Sequence, residues 1–137
     1  MRTALDSNVL SALWSGEPLA SRMASQLAEA HAQGGLVVSA PVYAELLAHP
    51  SASQHFVDQF LGETGISLDF DLDETIWRLS ARSFSNYARR RRRSRGGSPK
   101  RLLVDFIVAA HAMLHADRLM TLDAERYKRD FPDLKLF

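Results

Sequence analysis

Leu36-Val37-Val38-Ser39-Ala40-Pro41-Val42-Tyr43-Ala44-Glu45-Leu46-Leu47 changes character partway along its length. The first four residues are a short, apolar, partly β-branched run, which reads as a buried strand. Pro41 suits a first helical turn and opens a helix carrying Tyr43, Glu45, Leu46 and Leu47, stopped near Pro50. A strand that passes directly into a helix is the repeating unit of α/β architecture.

Working outward, the same alternation recurs. Upstream, Gly34-Gly35 ends a helix over 18–33 whose Leu19, Met23, Leu27 and Ala30 lie near one face. Before it, residues 2–5 form a short strand ending at Asp6, and 7–14 a short helix with Ser7 as a candidate cap. Downstream, 51–63 is an amphipathic helix broken by Gly65, and 66–70 a third strand. A long helix follows from 71 to about 93, with Asp71 and Glu74 at capping-box spacing. The loop 94–99 is rich in Gly and Ser, and Ser98-Pro99 opens a helix reaching about 117. A fourth strand over 118–121, a helix from 124 to about 130 and a final strand over 134–137 complete the pattern. The expectation is one α/β domain over 1–137 with a largely parallel sheet of about five strands flanked by helices.

Composition agrees with a globular domain: 137 residues, 46% apolar and 24% charged. Without cysteine there are no disulfides, thiolate metal sites or cysteine nucleophile. No apolar run approaches the ~18 residues of a membrane helix, and no leader pattern opens the chain. The expectation is a cytoplasmic protein with no membrane partner. Net charge is +1 but unevenly spread: Arg89, Arg90, Arg91, Arg92 and Arg93 are consecutive, followed by Arg95, Lys100 and Arg101. With four acids neutralised by cations the balance becomes +5, which favours a nucleic acid.

In a parallel α/β sheet, ligands bind beyond the carboxyl ends of the strands. Asp6 follows the first strand directly, and Asp123 closely follows the fourth. Glu45 lies in the first turns of the helix after the second strand, and Asp105 in the second turn of the helix opened by Ser98-Pro99. These four acids can converge on one rim. Asp105 is the most telling, because Leu102-Leu103-Val104-Asp105-Phe106-Ile107-Val108-Ala109-Ala110 is apolar almost all round. A carboxylate buried there is costly unless it is paired or binds a metal. Simpler readings exist for each acid: Asp105 paired with Arg101, Asp6 and Asp123 as helix caps, Glu45 as a solvated helix residue.

Four segments together resemble the PIN-domain family, and more closely the VapC-type toxins of bacterial toxin–antitoxin pairs. Leu5-Asp6-Ser7-Asn8-Val9-Leu10 resembles the family's opening Asp-x-Asn motif. Ser39-Ala40-Pro41-Val42-Tyr43-Ala44-Glu45-Leu46 resembles its acid-bearing strand-to-helix segment. Asp105-Phe106-Ile107-Val108-Ala109-Ala110-His111-Ala112 resembles its Asp-x-x-Ile-Ala-Ala-x-Ala helix, with Val108 in the Ile place. Leu119-Met120-Thr121-Leu122-Asp123 resembles its Thr-x-Asp ending. The order and spacing span nearly the whole chain. The resemblance implies an endoribonuclease dependent on Mg²⁺ or Mn²⁺, and a homodimer held inactive by a cognate antitoxin. Asp6, Glu45, Asp105 and Asp123 match its acidic quartet one for one. Ser7 stands where Thr is common and Tyr127 where Phe is common, and neither departure is expected to touch the quartet.

Four carboxylates in one cleft repel each other. Oxygen-only ligands suit one or two hard ions such as Mg²⁺ or Mn²⁺ rather than zinc. Asn8 and Thr121 are expected to orient the carboxylates or their waters. Arg89 to Arg93, with Arg95, Lys100 and Arg101, would contact RNA phosphates without reading sequence, or else an acidic antitoxin segment. Five adjacent arginines cannot all face one way on a helix.

Other signals are weaker. His111 and His115 have zinc-helix spacing, but Ala112 replaces the Glu of a metalloprotease motif and no third ligand is apparent. Asp69, Asp71 and Asp73 begin like a calcium loop, but Glu74 replaces its Gly and Ser80 its closing Glu. Trp14, Trp77, Phe84 and Tyr87 read as core or dimer surface rather than base-stacking platforms. The alternative function is a PIN-like module that binds RNA or protein without cleaving it, which the intact quartet disfavours. A haloacid-type phosphatase wants Asp-x-Asp where Asp6 and Asn8 stand, and a receiver domain wants a Lys where Asp123 stands.

Overall fold

The computed structural model describes residues 1–16, 18–94 and 102–137. Arg95, Lys100, Arg101 and the Ser98-Pro99 helix opening lie outside the described residues.

Strand β1 (Thr3–Leu5) leads into α1 (Ser7–Trp14) and α2 (Ala20–Gln33). Strand β2 (Leu36–Ser39) leads into α3 (Ala40–Leu46) and α4 (Gln54–Thr64). Strand β3 (Ile66–Asp69) leads into α5 (Glu74–Arg93) and α6 (Leu103–His115), and β4 (Arg118–Met120) into α7 (Ala124–Lys128). The sheet runs β3-β2-β1-β4, and all three pairings are parallel. Ala4 pairs with Val37 on one side and Leu119 on the other, so β1 is central. Parallel pairing puts the carboxyl ends of all four strands on one edge.

Side chains alternate between sheet faces, yet every residue of β1 and β2 is buried. Both faces of the sheet centre are therefore covered, as a parallel sheet requires. Edge strand β3 leaves Ser67 and Leu68 exposed. The expected fifth strand is reduced to one parallel bridge between Leu119 and Leu136. Leu119 donates its N–H to the Lys135 carbonyl and accepts from the Phe137 N–H, each at 2.9 Å.

Helix boundaries follow local chemistry. Ser53 caps α4 by accepting the Phe56 N–H at 3.1 Å, and Gly65 ends that helix in the left-handed conformation at φ 69°. The expected cap at Asp71 is instead Asp73, which accepts the Ile76 N–H at 3.1 Å. Asp71 lies before the helix, with its N–H donated to the Asp69 carboxylate at 3.0 Å. Gly34 is needed for space: a Cβ there would lie 1.9 Å from the Met1 carbonyl oxygen.

Helices α5 and α6 pack closely through small residues. The buried Ser80 hydroxyl donates to the Ile76 carbonyl at 2.7 Å and sits 3.4 Å from that of Phe106. Phe106, fully buried, meets Phe84, Tyr87 and Phe131 at ring-centroid distances of 5.1, 5.6 and 5.7 Å. Trp14 packs edge-on against Phe56 and Phe60, whereas Trp77 is 46% exposed and belongs to no core.

Candidate active site

The carboxyl edge of the sheet gathers the four acids. Asp6 ends β1 and is buried. It is a helix cap as well as a site residue, accepting the Ser7 N–H at 2.8 Å on Oδ1. Its Oδ2 accepts the Thr121 hydroxyl at 2.9 Å and the Tyr127 hydroxyl at 2.7 Å. Three donors fix the orientation of this carboxylate.

Thr121 follows β4 and serves as the hub of the polar contacts here. It donates to Asp6 and accepts from the Asn8 amide at 3.3 Å and the Asp123 N–H at 3.1 Å. Asn8 in turn accepts the Leu122 N–H at 3.1 Å. Asn8 therefore reaches the Asp6 carboxylate through Thr121 rather than directly.

Glu45 projects from α3 at the exposed rim. The Ser7 hydroxyl donates to its Oε1 at 3.3 Å. Its carboxyl is raised from the ordinary value by partial removal from water, then by the charge of Asp6; the Ser7 bond and Arg126 oppose this, and Asp105 adds to it. Asp105 lies in the first turn of α6 rather than the second, because that helix starts at Leu103. Residues Phe106 to Ala112 are all buried, and the Asp105 side chain is only 14% exposed.

Asp105 and Asp123 are joined by a group that the motif reading overlooked. Arg126, on α7, reaches Asp123 through Nε at 2.9 Å and Asp105 through Nη1 at 3.5 Å. Partial burial works against its charge, but Asp105 and Asp123 more than restore it, with a smaller share from Asp6. The i, i+3 spacing from Asp123 to Arg126 was the local signal for this pair. Ser7 and Tyr127, not expected to touch the quartet, touch Glu45 and Asp6 respectively. Burial and the adjacent Asp6 charge push the Tyr127 hydroxyl far above its ordinary value, so it remains a donor.

The basic run divides along the end of α5. Arg89, Arg92 and Arg93 are exposed, while Arg90 and Arg91 are half-buried. Arg90 pairs with Asp130. A cleft of about 360 Å³ lies here, lined by Tyr87, Arg90, Arg91, Arg126, Arg129 and Asp130 among others. Arg126 belongs to both this cleft and the acid cluster, so the two adjoin.

The model of the PIN domain family matches residues 3–132, a span holding all four acids. Among solved structures, the chain is similar to one in the structure of VapBC-1 from nontypeable Haemophilus influenzae. That match has 22% identity and a TM-score of 0.68, and covers 100% of this chain and 97% of the other. VapBC2 from Rickettsia felis, bound to a DNA fragment from their promoter, matches at 21% identity and TM-score 0.68, over 100% and 98% of the two chains. A toxin–antitoxin complex from Klebsiella pneumoniae matches at 19% identity and TM-score 0.62, over 98% and 95%. These likenesses establish a shared fold. No curated protein matches the chain.

Proposed function

This chain belongs to the PIN domain family, and on that footing we propose that it is a metal-dependent endoribonuclease, the VapC-type toxin of a toxin–antitoxin pair. The observation that carries the reading is the meeting of Asp6, Glu45, Asp105 and Asp123 at one sheet edge, linked through Ser7 and Arg126. Their donor set is all oxygen, and the charges of Asp6 and Asp105 add to the desolvation that raises the Glu45 carboxyl. Such a set fits Mg²⁺ or Mn²⁺. The four acids would hold one or two ions, which supply water activation and stabilisation of the leaving oxygen.

The chain's own residues have distinct tasks. Thr121 and Tyr127 fix the Asp6 carboxylate, and Asn8 fixes Thr121. Arg126 neutralises Asp105 and Asp123 in the absence of other cations and lies where an RNA phosphate would enter. Arg129 and the exposed Arg89, Arg92 and Arg93 extend the positive surface away from the cleft and hold the RNA backbone electrostatically.

Partners follow the same reading. Inhibition by a cognate antitoxin is proposed from the likeness to the toxin–antitoxin complex above, and a homodimer is proposed with it. An apolar groove of about 460 Å³, lined by Leu13, Leu27, Leu36, Phe60 and Ile66 among others, offers a protein partner a contact surface. Among the described residues, no helix is long and apolar enough to cross a membrane.

Cleavage of total cellular RNA by wild-type protein and by Asp105→Asn, with Mg²⁺, Mn²⁺ or EDTA, tests the activity. Discrete fragments are expected from wild type with metal, none with EDTA, and a loss of more than about 100-fold in the variant. Equal cutting by both proteins would place the activity in a contaminant. RNA binding without cutting by either protein would replace the enzyme with a binding module.

A further inference from the structure

Helix α6 carries a second cluster at its other end. His111 and His115 lie six and ten residues beyond Asp105, about 9 and 15 Å along the helix axis. The third donor that the sequence concealed is Asp69, the last residue of β3. Its Oδ2 lies 2.9 Å from Nε2 of His111 and 2.9 Å from Nδ1 of His115. The three ligand atoms all fall within 4.8 Å of one another.

We propose that Asp69, His111 and His115 form a binding site for a borderline transition-metal cation such as Zn²⁺, separate from the carboxylate cleft. Two imidazole nitrogens and one carboxylate oxygen are a zinc-type donor set, unlike the oxygen-only quartet. In a tetrahedral site with bonds of about 2.0–2.1 Å, ligand atoms lie about 3.3 Å apart. The present 2.9 Å separations need an outward shift of only a few tenths of an ångström. The Asp69 and His115 side chains are 16% and 20% exposed, so solvent reaches the site and can complete the coordination.

Asp73 supplies the feature that distinguishes this cluster from a simple hydrogen-bonded triad. Its Oδ2 lies 3.1 Å from Nε2 of His115. With the proton held on Nε2 by Asp73, Nδ1 keeps its lone pair for the metal, the carboxylate–histidine–metal arrangement of many zinc sites. His111 binds through Nε2 with its proton on Nδ1. A doubly protonated His115 releases one proton when the cation enters. The Arg2 guanidinium is the nearby positive charge: it donates to the His115 carbonyl at 2.8 Å and opposes the cation. Bound metal would tie the end of β3 and the cap of α5 to the last turn of α6.

The test uses an Asp6→Asn/Asp105→Asn protein, so that the carboxylate cleft does not compete; it is independent of whether the chain cleaves RNA. Calorimetric titration with Zn²⁺ is expected to give one equivalent bound per chain. His115→Gln should weaken binding by more than about 100-fold, and Asp73→Asn by about 10- to 100-fold. Co²⁺ in place of Zn²⁺ should give the intense visible absorption of a four-coordinate ion. His111 is buried, so the partly exposed His115 and Asp73 carry the test, with folding checked by circular dichroism. No Zn²⁺ binding, binding unchanged in His115→Gln, or only the weak absorption of six-coordinate Co²⁺ would overturn the site.

Discussion

Tyr127 contributes the buried hydroxyl that holds Asp6, at 2.7 Å. Tyr127→Phe removes that bond while Ser7 and Thr121 retain theirs, so the carboxylate loses one of three donors. The expected loss is about 1–3 kcal/mol of stability, read as a lower urea midpoint with unchanged slope. Tyr127 shows how far a motif can be read. The sequence marks it as a departure from a common Phe but says nothing of where its hydroxyl points. The position of Asp6 was legible because strand, acid and helix are consecutive in the chain. Its partners Thr121 and Tyr127 are more than a hundred residues away, and only the folded sheet brings them near. Asp69 was hidden from His111 and His115 for the same reason.

At the level of elements, local pattern was most reliable where tertiary demands agreed with it. Helix α1 and strand β2 match the residues read from sequence, since each has an apolar pattern bounded by a clear start and stop. The start of α5 does not. Asp71 and Asp73 are equally good caps by composition, and it is the Asp73 side chain that accepts the first-turn N–H of Ile76. Helix α6 is set by burial: Phe106 is enclosed by rings from α5 and from the segment after α7. Phe106→Ala should cost about 3–5 kcal/mol, which thermal unfolding would register as a drop of many degrees. A change below 1 kcal/mol would mean that this aromatic cluster is not the joint between α5 and α6.

Across the whole molecule, charge is divided between an acidic edge and a basic end of α5. The sequence revealed the arginine run, but not its division into an exposed Arg89, Arg92 and Arg93 and a half-buried Arg90 and Arg91. Replacing the exposed three with Ala in the Asp105→Asn background should weaken binding to a labelled single-stranded RNA. The slope of log affinity against log salt should fall by about 2, from roughly 0.7 per phosphate contact. An unchanged slope in fluorescence anisotropy would remove these arginines from the RNA path. The strand order also sets when the acid cluster can form during synthesis. Strand β1 leaves the ribosome first, yet one of its two neighbours, β4, lies over a hundred residues later. Thr121 and Asp123 must also emerge before the acid cluster can close around Asp6. A nascent chain still short of β4 therefore has no assembled quartet, and under the proposed function the translating ribosome meets no finished nuclease from its own product until synthesis has passed that strand.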